Sequence, residues 1–331
     1  MLLAASAAAA FLVSLLLPFA FIPLLRRLGV IDVPNERSSH TRAVIRGVGA
    51  TVAAGVLAGL AAVLLTGYVA VDRSIILILA GMLFLAALLG WVEDWRGLSV
   101  RTRAGLQLGI GLAGTGALIQ AMDQSWWWAP AGMLAIAGYI NVANFMDGIN
   151  GISGLHAVVV GGLYAVSGML TGQLWLTAAG VVVAAAFAAF LPWNLGRGSV
   201  FLGDVGSYLL GASIAGMAVA AFLAGIYVEY LLFPVVIYLA DTFTTLLSRV
   251  RRGERWYAAH REHVYQRLTD AGLSHLQATG VVTACTLLVG STGLVTAGAS
   301  LGVTAAGTVF AAAVTAFYLA SPRIFAARAN A

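Results

Sequence analysis

Long apolar runs separated by short polar stretches extend along this chain from end to end. A helix that spans a bilayer needs about 20 mostly apolar residues, and eleven segments satisfy that requirement. Their predicted limits are 2–25, 48–69, 74–92, 104–121, 129–146, 152–171, 173–191, 206–224, 229–248, 276–297 and 300–320. The pattern therefore predicts an all-α, polytopic membrane helix bundle that forms one integral membrane domain over residues 1–331.

Composition agrees with a membrane protein and argues against a soluble one. Of the 331 residues, 61% are hydrophobic and only 9% are charged. A soluble domain of this length needs far more charge to cover its surface. The single cysteine, Cys285, lies in an apolar run, which leaves neither a disulfide framework nor a cysteine metal site.

The arginines predict the orientation of the bundle. All 18 basic residues are arginines, and an outside N-terminus places every one except Arg73 on the same side. The positive-inside rule then gives an N-out, C-in topology in the inner (plasma) membrane. The cytoplasmic loops are predicted at 26–47, 93–103, 147–151, 192–205 and 249–275.

Four acids lie at the mouths of spans on that same side, beside glycines or asparagines: Glu93, Asp94, Asp147 and Asp204. Acids at membrane depth are functional candidates, so we expect these four to converge on one cavity. For Glu93 and Asp94, salt bridges to Arg96, Arg101 or Arg103 are the alternative. Asp241, inside the ninth span, is expected to pair with an arginine at the cytoplasmic end.

A polar stripe ends the fifth span. Asn141, Asn144 and Asp147 are spaced by three and so share one broad face of a helix. Amides and a carboxylate on one face suit a nucleoside and a magnesium-bound diphosphate. A polar contact between two helices is the alternative.

Glycines flank Asp204 just before the eighth span. The free N–H groups and the dipole of a helix N-terminus attract phosphate, and magnesium is usually held by one or two carboxylates together with the phosphates of its substrate. Nearby, Phe201 suits stacking on a base, with packing at the membrane interface as the alternative.

The largest inner segment, 249–267, is rich in arginine and carries His260, Arg261 and His263. A basic run of this kind often meets anionic lipid headgroups. Two histidines three residues apart, with an arginine between them, also suggest donors for a diphosphate.

Five motifs in this order resemble the polyprenyl-phosphate N-acetylhexosamine-1-phosphate transferase family, which includes the phospho-MurNAc-pentapeptide translocase. They are Asp32-Val-Pro-Asn-Glu-Arg37-Ser-Ser-His40 running on to Gly47-Val-Gly49, Glu93-Asp94, Asn144-Phe-Met-Asp147-Gly-Ile-Asn150-Gly, Phe201-Leu-Gly-Asp204-Val-Gly-Ser and His260-Arg-Glu-His263.

The resemblance implies a magnesium-dependent enzyme, with manganese as an alternative metal, that uses a UDP-N-acetylhexosamine and an undecaprenyl-phosphate-like acceptor and releases UMP. The implied partners are these substrates and the lipid bilayer, without nucleic acid, and a homodimer is an alternative to a monomer. The implied roles are catalytic for Glu93, Asp94 and Asp147, metal-binding for Asp204 and Asp147, and substrate-binding for Arg46, Asn141, Asn144, Asn150, Phe201, His260, Arg261 and His263.

Two residues depart from the family pattern, since Glu93 and Asn150 each replace an aspartate. The form of the histidine loop resembles the branch that initiates O-antigen synthesis with UDP-N-acetylated 6-deoxyhexosamines, and so implies a role in lipopolysaccharide and cell-wall biogenesis. The alternatives are an inactive homologue or scaffold, which the two departures allow, and a membrane transporter. A transporter would place its polar site near the bilayer midplane within repeated halves.

Overall fold

A computed structural model describes residues 1–27, 29, 31–32, 44–196, 200–254 and 260–329. Eleven helical segments among these residues are long and apolar enough to cross a membrane, which confirms the predicted number of spans. The helices are α1 (Leu2–Arg27), α2 (Gly49–Thr66), α3 (Arg73–Arg96), α4 (Val100–Ala121), α5 (Ala129–Met146), α6 (Ile152–Leu170), α7 (Leu174–Leu195), α8 (Gly203–Leu223), α9 (Val228–Leu232), α10 (Val236–Arg251), α11 (Val264–Asp270), α12 (His275–Thr296) and α13 (Leu301–Ala329).

The ninth span is made of two helices rather than one. A 3₁₀ turn over Phe233–Val235 joins α9 to α10. Pro234 lies in this turn, where its missing N–H costs no regular helical hydrogen bond. The fifth span begins with a 3₁₀ turn over Trp126–Trp128 that leads into α5, and α11 is a short helix between the ninth and tenth spans.

Helix α8 forms the centre of the bundle, and its span is the most buried of the eleven in the described residues. Its glycines let neighbouring backbones approach closely, as is common between membrane helices. A Cβ atom on Gly211 would lie 2.5 Å from the Cα of Ile140 on α5, and one on Gly90 of α3 would collide with the backbone oxygen of Asp204. Helices α3 and α5 therefore pack on α8 at backbone distance.

A small strand pair ties the segment before α2 to the start of α8. Strand β1 (Ile31–Asp32) pairs antiparallel with β2 (Val44–Ile45), and Ile45 also forms a parallel bridge with Val200. The motif residues from Val33 to His40, like 197–199 and 255–259, lie outside the described residues.

Helix α11 docks beneath the end of α5. Tyr265 is buried there, and its hydroxyl donates to the backbone oxygen of Phe145 at 3.1 Å. Gly148 leaves the space that the Tyr265 ring fills, because a Cβ atom at that position would overlap the hydroxyl. The segment that carries the two histidines is therefore held against the end of α5.

Consecutive spans alternate in direction, so the ends of α3, α5 and α10 and the start of α8 lie at one end of the bundle. That end, called the site end below, carries every predicted site residue. The assignment of this end to the cytoplasm stays a prediction from the arginines.

Candidate active site

Three charged side chains from distant parts of the chain meet at the site end. Arg46 follows β2, Asp94 lies in the last turn of α3, and Asp204 lies in the first turn of α8. The Nε atom of Arg46 is 2.6 Å from Oδ1 of Asp94, and its Nη2 atom is 2.8 Å from Oδ2 of Asp204. One guanidinium therefore bridges two carboxylates with short, charge-assisted bonds.

Two glycines, Gly203 and Gly90, allow α3 and α8 to approach closely enough for Arg46 to bridge Asp94 and Asp204. Gly203 adopts a φ of +73°, and a Cβ atom there would lie 2.5 Å from Oδ2 of Asp94. Gly90, one turn before Asp94, faces the backbone of Asp204. A side chain at either glycine would separate α3 from α8 and so move Asp94 away from Asp204.

Asp94 also occupies the N-terminus of α8. The Oδ1 atom accepts from the backbone N–H of Asp204 at 3.0 Å, and Oδ2 accepts from that of Val205 at 3.1 Å. These are two of the donors that a helix start leaves without an intrahelical partner. The expectation that these groups are free for phosphate is therefore wrong, because a protein carboxylate already binds them.

Asn144 joins the same cluster from α5. Its amide nitrogen is 2.7 Å from Oδ1 of Asp204 and 3.0 Å from the hydroxyl of Ser207. Asp204 is thus held on one oxygen by an amide and on the other by Arg46. Of the four acids expected to converge on one cavity, Asp94 and Asp204 meet through Arg46, and Asn144 joins them.

Asp147 follows the last turn of α5, and the hydroxyl of Ser153 donates to its Oδ1 atom at 2.7 Å. Burial raises the pKa of Asp147 from its ordinary value of 3.8 to about 7. The bond from Ser153 and the charge of Arg46 oppose that rise, whereas the carboxylates of Asp204 and Asp94 add to it. Asp147 therefore belongs electrostatically to the same cluster.

Glu93 makes the salt bridge that we named as its alternative. Its Oε1 atom is 2.9 Å from Nη1 of Arg103 on α4. Its Oε2 atom is buried and has no hydrogen-bond partner among the described residues. Of the two adjacent acids, Asp94 has both oxygens bonded, while Glu93 keeps one buried acceptor.

The two histidines contact each other and the end of α5. Their Nε2 atoms are 3.2 Å apart, and the ring of Phe145 lies 6.1 Å from the ring of His263 and 6.2 Å from that of His260. Phe145 stands between Asn144 and Asp147 in the chain, so the histidine loop borders the polar stripe.

Asp241 does not pair with an arginine, contrary to expectation. Its Oδ1 atom is 3.0 Å from Nδ1 of His263 and 3.0 Å from the backbone N of Val264, and its Oδ2 atom accepts from the hydroxyl of Tyr318 at 2.6 Å. The arginines near the end of α10 instead meet glutamates, as in the pair of Arg249 with Glu262. An acid inside a span was the available signal, and the sequence did not reveal its partner.

Two predicted substrate ligands are bonded elsewhere. The amide of Asn141 donates to Oε1 of Gln107 on α4 at 2.6 Å, which is the interhelical contact that we gave as its alternative. The guanidinium of Arg261 lies 3.0 Å from the carboxylate of Asp270 near the surface. Neither pair joins the carboxylate cluster.

Phe201 and Asn150 lie close to the motifs that they belong to. The backbone of Phe201 bonds to Ile45 and Val48, on either side of Arg46 in the chain, and its side chain is half-buried. The backbone oxygen of Asn150 accepts from the hydroxyl of Thr279 at 3.0 Å, and its side chain is half-buried.

The oxygen donors of Asp204 and Asp147 suit a hard cation. In the described part of the chain, no group of three or more acids, histidines or cysteines is arranged to enclose a metal ion. Magnesium, however, is commonly held by one or two carboxylates and the phosphates of a substrate. These residues fit a metal shared with a substrate rather than a closed protein cage.

An apolar groove of about 510 Å³ runs along α5, α8, α9 and α10. Trp128, Phe222 and Val228 line the part far from the carboxylates, whereas Val142 and Leu239 line the part nearer the site end. Val142 precedes Asn144 by two residues on α5, so this part of the groove lies within one helical turn of Asn144 along that helix.

The chain is similar to several known proteins. Residues 75–222 match glycosyl transferase family 4. The chain is 28% identical over 295 residues to a probable undecaprenyl-phosphate N-acetylglucosaminyl 1-phosphate transferase of Bacillus subtilis (strain 168), covering 82% of this chain and 80% of that protein. It is 27% identical over 312 residues to the undecaprenyl-phosphate alpha-N-acetylglucosaminyl 1-phosphate transferase of Escherichia coli (strain K12), covering 86% and 81%. A phospho-N-acetylmuramoyl-pentapeptide-transferase of Synechococcus sp. (strain JA-3-3Ab) is 30% identical over 151 residues, 39% of this chain and 43% of that protein.

The bundle is that of a multi-pass membrane protein, and the relatives that it resembles are transferases. The similarity to glycosyl transferase family 4 covers residues 75–222, and members of that family transfer phosphosugars. The family resemblance drawn from the five motifs is confirmed.

Proposed function

We propose that this protein transfers an N-acetylhexosamine-1-phosphate from a UDP-sugar to undecaprenyl phosphate, giving a polyprenyl-diphosphate-sugar and UMP. One observation carries the proposal. The bridge from Arg46 to Asp94 and Asp204 stands beside Asn144, and Phe145 links that cluster to the histidine pair. The names of the Bacillus and Escherichia relatives support this acceptor and an N-acetylhexosamine as the sugar.

The reaction needs little covalent participation by the protein. An oxygen of the acceptor phosphate forms a bond to the β-phosphorus of the UDP-sugar, and the bond from that phosphorus to the bridging oxygen breaks, so that UMP leaves. Positioning and charge neutralisation supply most of the barrier reduction in such transfers. Bound magnesium, or manganese, would neutralise charge on the donor diphosphate, and Asp204 and Asp147 are the residues that would hold it.

The donor is assigned to the groups around α5 and the histidine loop. Asn144 and Phe201 face the nucleotide, with the ring of Phe201 against the uracil. His260 and His263 bind the diphosphate by hydrogen bonds. Three further residues are assigned to the donor only by the family resemblance: Asn141, Asn150 and Arg261. The bonds of Asn141 to Gln107 and of Arg261 to Asp270 favour a structural contribution from Asn141 and Arg261.

The acceptor is assigned to Glu93 and to the apolar groove. The Oε2 atom of Glu93, which has no hydrogen-bond partner in the described part of the chain, is an acceptor for a hydroxyl of the lipid phosphate, and it takes the proton as that phosphate attacks. Asp94 orients the start of α8. The groove along α5 and α10 offers an apolar surface for the isoprenoid chain, whose headgroup then lies near the site end.

The reaction is assigned to the cytoplasmic face of the inner membrane, because the arginines predict that the site end lies inside. Soluble nucleotide sugars are found on that side. The form of the histidine loop favours a 6-deoxy N-acetylhexosamine and hence a first step in the synthesis of an O-antigen-like surface polysaccharide.

A reconstituted assay tests the proposal. Membranes with the protein receive undecaprenyl phosphate, magnesium and a panel of UDP-N-acetylhexosamines, including 6-deoxy sugars, and the release of UMP is measured. We expect magnesium-dependent UMP release that Asp204→Asn abolishes and that Asp72→Asn, at the opposite end of the bundle, leaves unchanged. A folded preparation that releases no UMP from any of these sugars would overturn the proposal in favour of a scaffold or a transporter.

A further inference from the structure

Asp241 is a fully buried acid that the proposed reaction does not use directly. It lies in α10, where Thr245 of the same helix donates to it, and three residues outside α10, at the start of α11 and on α13, also bond to it. Its Oδ1 atom receives the backbone N–H of Val264 and faces Nδ1 of His263, each at 3.0 Å. Its Oδ2 atom receives the hydroxyl of Tyr318 at 2.6 Å. A buried carboxylate persists when its oxygens are bonded in this way.

These bonds specify the protonation pattern of His263. The N–H of Val264 and the hydroxyl of Tyr318 both donate, so the carboxylate of Asp241 acts as the acceptor and the Nδ1 atom of His263 carries the hydrogen. In the neutral ring the Nε2 atom then has a lone pair, which faces Nε2 of His260 at 3.2 Å. A carboxylate on one nitrogen of an imidazole sets the tautomer and the orientation of the whole ring.

The hydroxyl that bonds to Asp241 comes from Tyr318 on the last span. Helix α13 is the least buried of the eleven spans in the part of the chain that the structure describes. Tyr318 is nevertheless completely buried on that helix, with its hydroxyl on Asp241. The last span thus contributes a fully buried polar contact that is directed at the acid behind the histidine pair.

We propose that Asp241, supported by Tyr318, is a positioning residue that fixes the ring and tautomer of His263 and, through it, the ring of His260. The inference rests on the proposed function, because the histidines are assigned there to the donor diphosphate. Asp241 itself touches no substrate. Its effect is exerted through His263. A residue that positions His263 affects activity only while His263 is present, whereas a residue that only supports folding affects it with or without His263.

A double-mutant cycle tests this indirect action. UMP release is measured for the wild type, Asp241→Asn, His263→Asn and the double variant, each in detergent with undecaprenyl phosphate, magnesium and the best UDP-sugar of the panel. By analogy with the loss of a carboxylate behind a ligating histidine, we expect Asp241→Asn to lower kcat roughly 10- to 100-fold. The double variant should be no slower than His263→Asn, because residues that act through one another are not additive. Independent, multiplying losses would overturn the inference.

Tyr318→Phe is the second variant, in case Asp241→Asn does not fold. It removes one bond to Asp241 and keeps the ring, so a smaller fall in kcat is expected, again absent on a His263→Asn background. Ser14→Ala is the matched control, because it deletes a buried interhelical bond between α1 and α7 far from the histidines. Tyr318→Phe should lower kcat more than Ser14→Ala at equal thermal stability, and equal activities would contradict the proposal. A wild-type protein without UMP release would instead contradict the proposed function.

Discussion

The carboxylate of Asp94 bonds to the first turn of the helix that carries Asp204. Its two oxygens accept from the backbone nitrogens of Asp204 and Val205 at 3.0 and 3.1 Å, and its side chain is only 1% exposed. Asp94 therefore fixes the direction in which α8 enters the site. Arg46 forms ion pairs with both Asp94 and Asp204. It therefore joins the residue that caps α8 to the acid in the first turn of that helix.

Replacing Asp94 by asparagine is expected to destabilise the protein. An amide presents only one oxygen, so one buried N–H at the start of α8 loses its acceptor. Leaving a buried donor unsatisfied costs about 1–3 kcal/mol. The thermal unfolding midpoint of the detergent-solubilised Asp94→Asn variant should therefore lie below that of the wild type.

Asp204→Asn serves as the comparison for that variant, because it leaves the bonds from Asp94 to the backbone of α8 in place. It should lower thermal stability less than Asp94→Asn does and yet abolish UMP release. A loss of stability that is the same for the two variants would contradict the capping role of Asp94.

Replacing Glu93 by glutamine is expected to slow the chemical step. Glutamine can still accept from Arg103 on Oε1, but an NH₂ group replaces the Oε2 atom and cannot take a proton. Loss of a general base commonly lowers kcat by about 10²–10⁴-fold, while the KM for the UDP-sugar should change little. Glu93→Asp, which keeps the carboxylate, should retain most of the activity. Equal activities of Glu93→Gln and the wild type would show that this oxygen takes no part.

Asp147 is expected to make the metal-free protein less stable as the pH rises. Its folded pKa of about 7 lies above the ordinary value of 3.8, so between these values the folded protein holds a proton that the unfolded chain has lost. Stability therefore falls through this range. Unfolding midpoints from about pH 5 to about pH 8.5 in a chelator should show a steeper decline for the wild type than for Asp147→Asn.

The effect of magnesium on the unfolding midpoint is a second test of the role of Asp147. Because a cation binds the ionised carboxylate, added magnesium should raise the unfolding midpoint of the wild type more at about pH 8.5 than at about pH 5. Asp147→Asn should show a smaller magnesium effect at the higher pH. Parallel pH profiles for the two proteins, with and without magnesium, would contradict the assignment.

A bulky residue in the apolar groove is expected to weaken binding of the lipid acceptor. Gly138 lines the groove, and a Cβ atom added there meets no other atom within 4 Å, so Gly138→Leu should fold. It should raise the KM for undecaprenyl phosphate and leave that for the UDP-sugar unchanged. Gly109→Leu is the matched control, since Gly109 is an open helical glycine on α4 outside the groove. Equal acceptor KM values for the two variants would contradict this use of the groove.

Much of the fold could be predicted from the sequence, because apolar length decides where a membrane helix forms. The limits of the span that ends near Asn144 agree with α5, and the break at Pro234 was missed because both halves of that span are equally apolar. The side-chain pairs formed between helices were harder to predict than the helices themselves. The pairing of Asp241 with His263, and of Asp94 with the backbone of α8, depends on helix packing that glycines such as Gly90 permit and that spacing along the chain does not specify.

A labelled donor tests directly whether the β-phosphate is transferred to the lipid together with the sugar. A UDP-N-acetylhexosamine labelled at the β-phosphorus is incubated with the purified protein, undecaprenyl phosphate and magnesium, and the label is followed into the organic and aqueous phases. We predict label in the lipid product together with an equal amount of UMP in the water phase. Label that remains in the water phase as UDP, while the sugar alone reaches the lipid, would contradict this prediction.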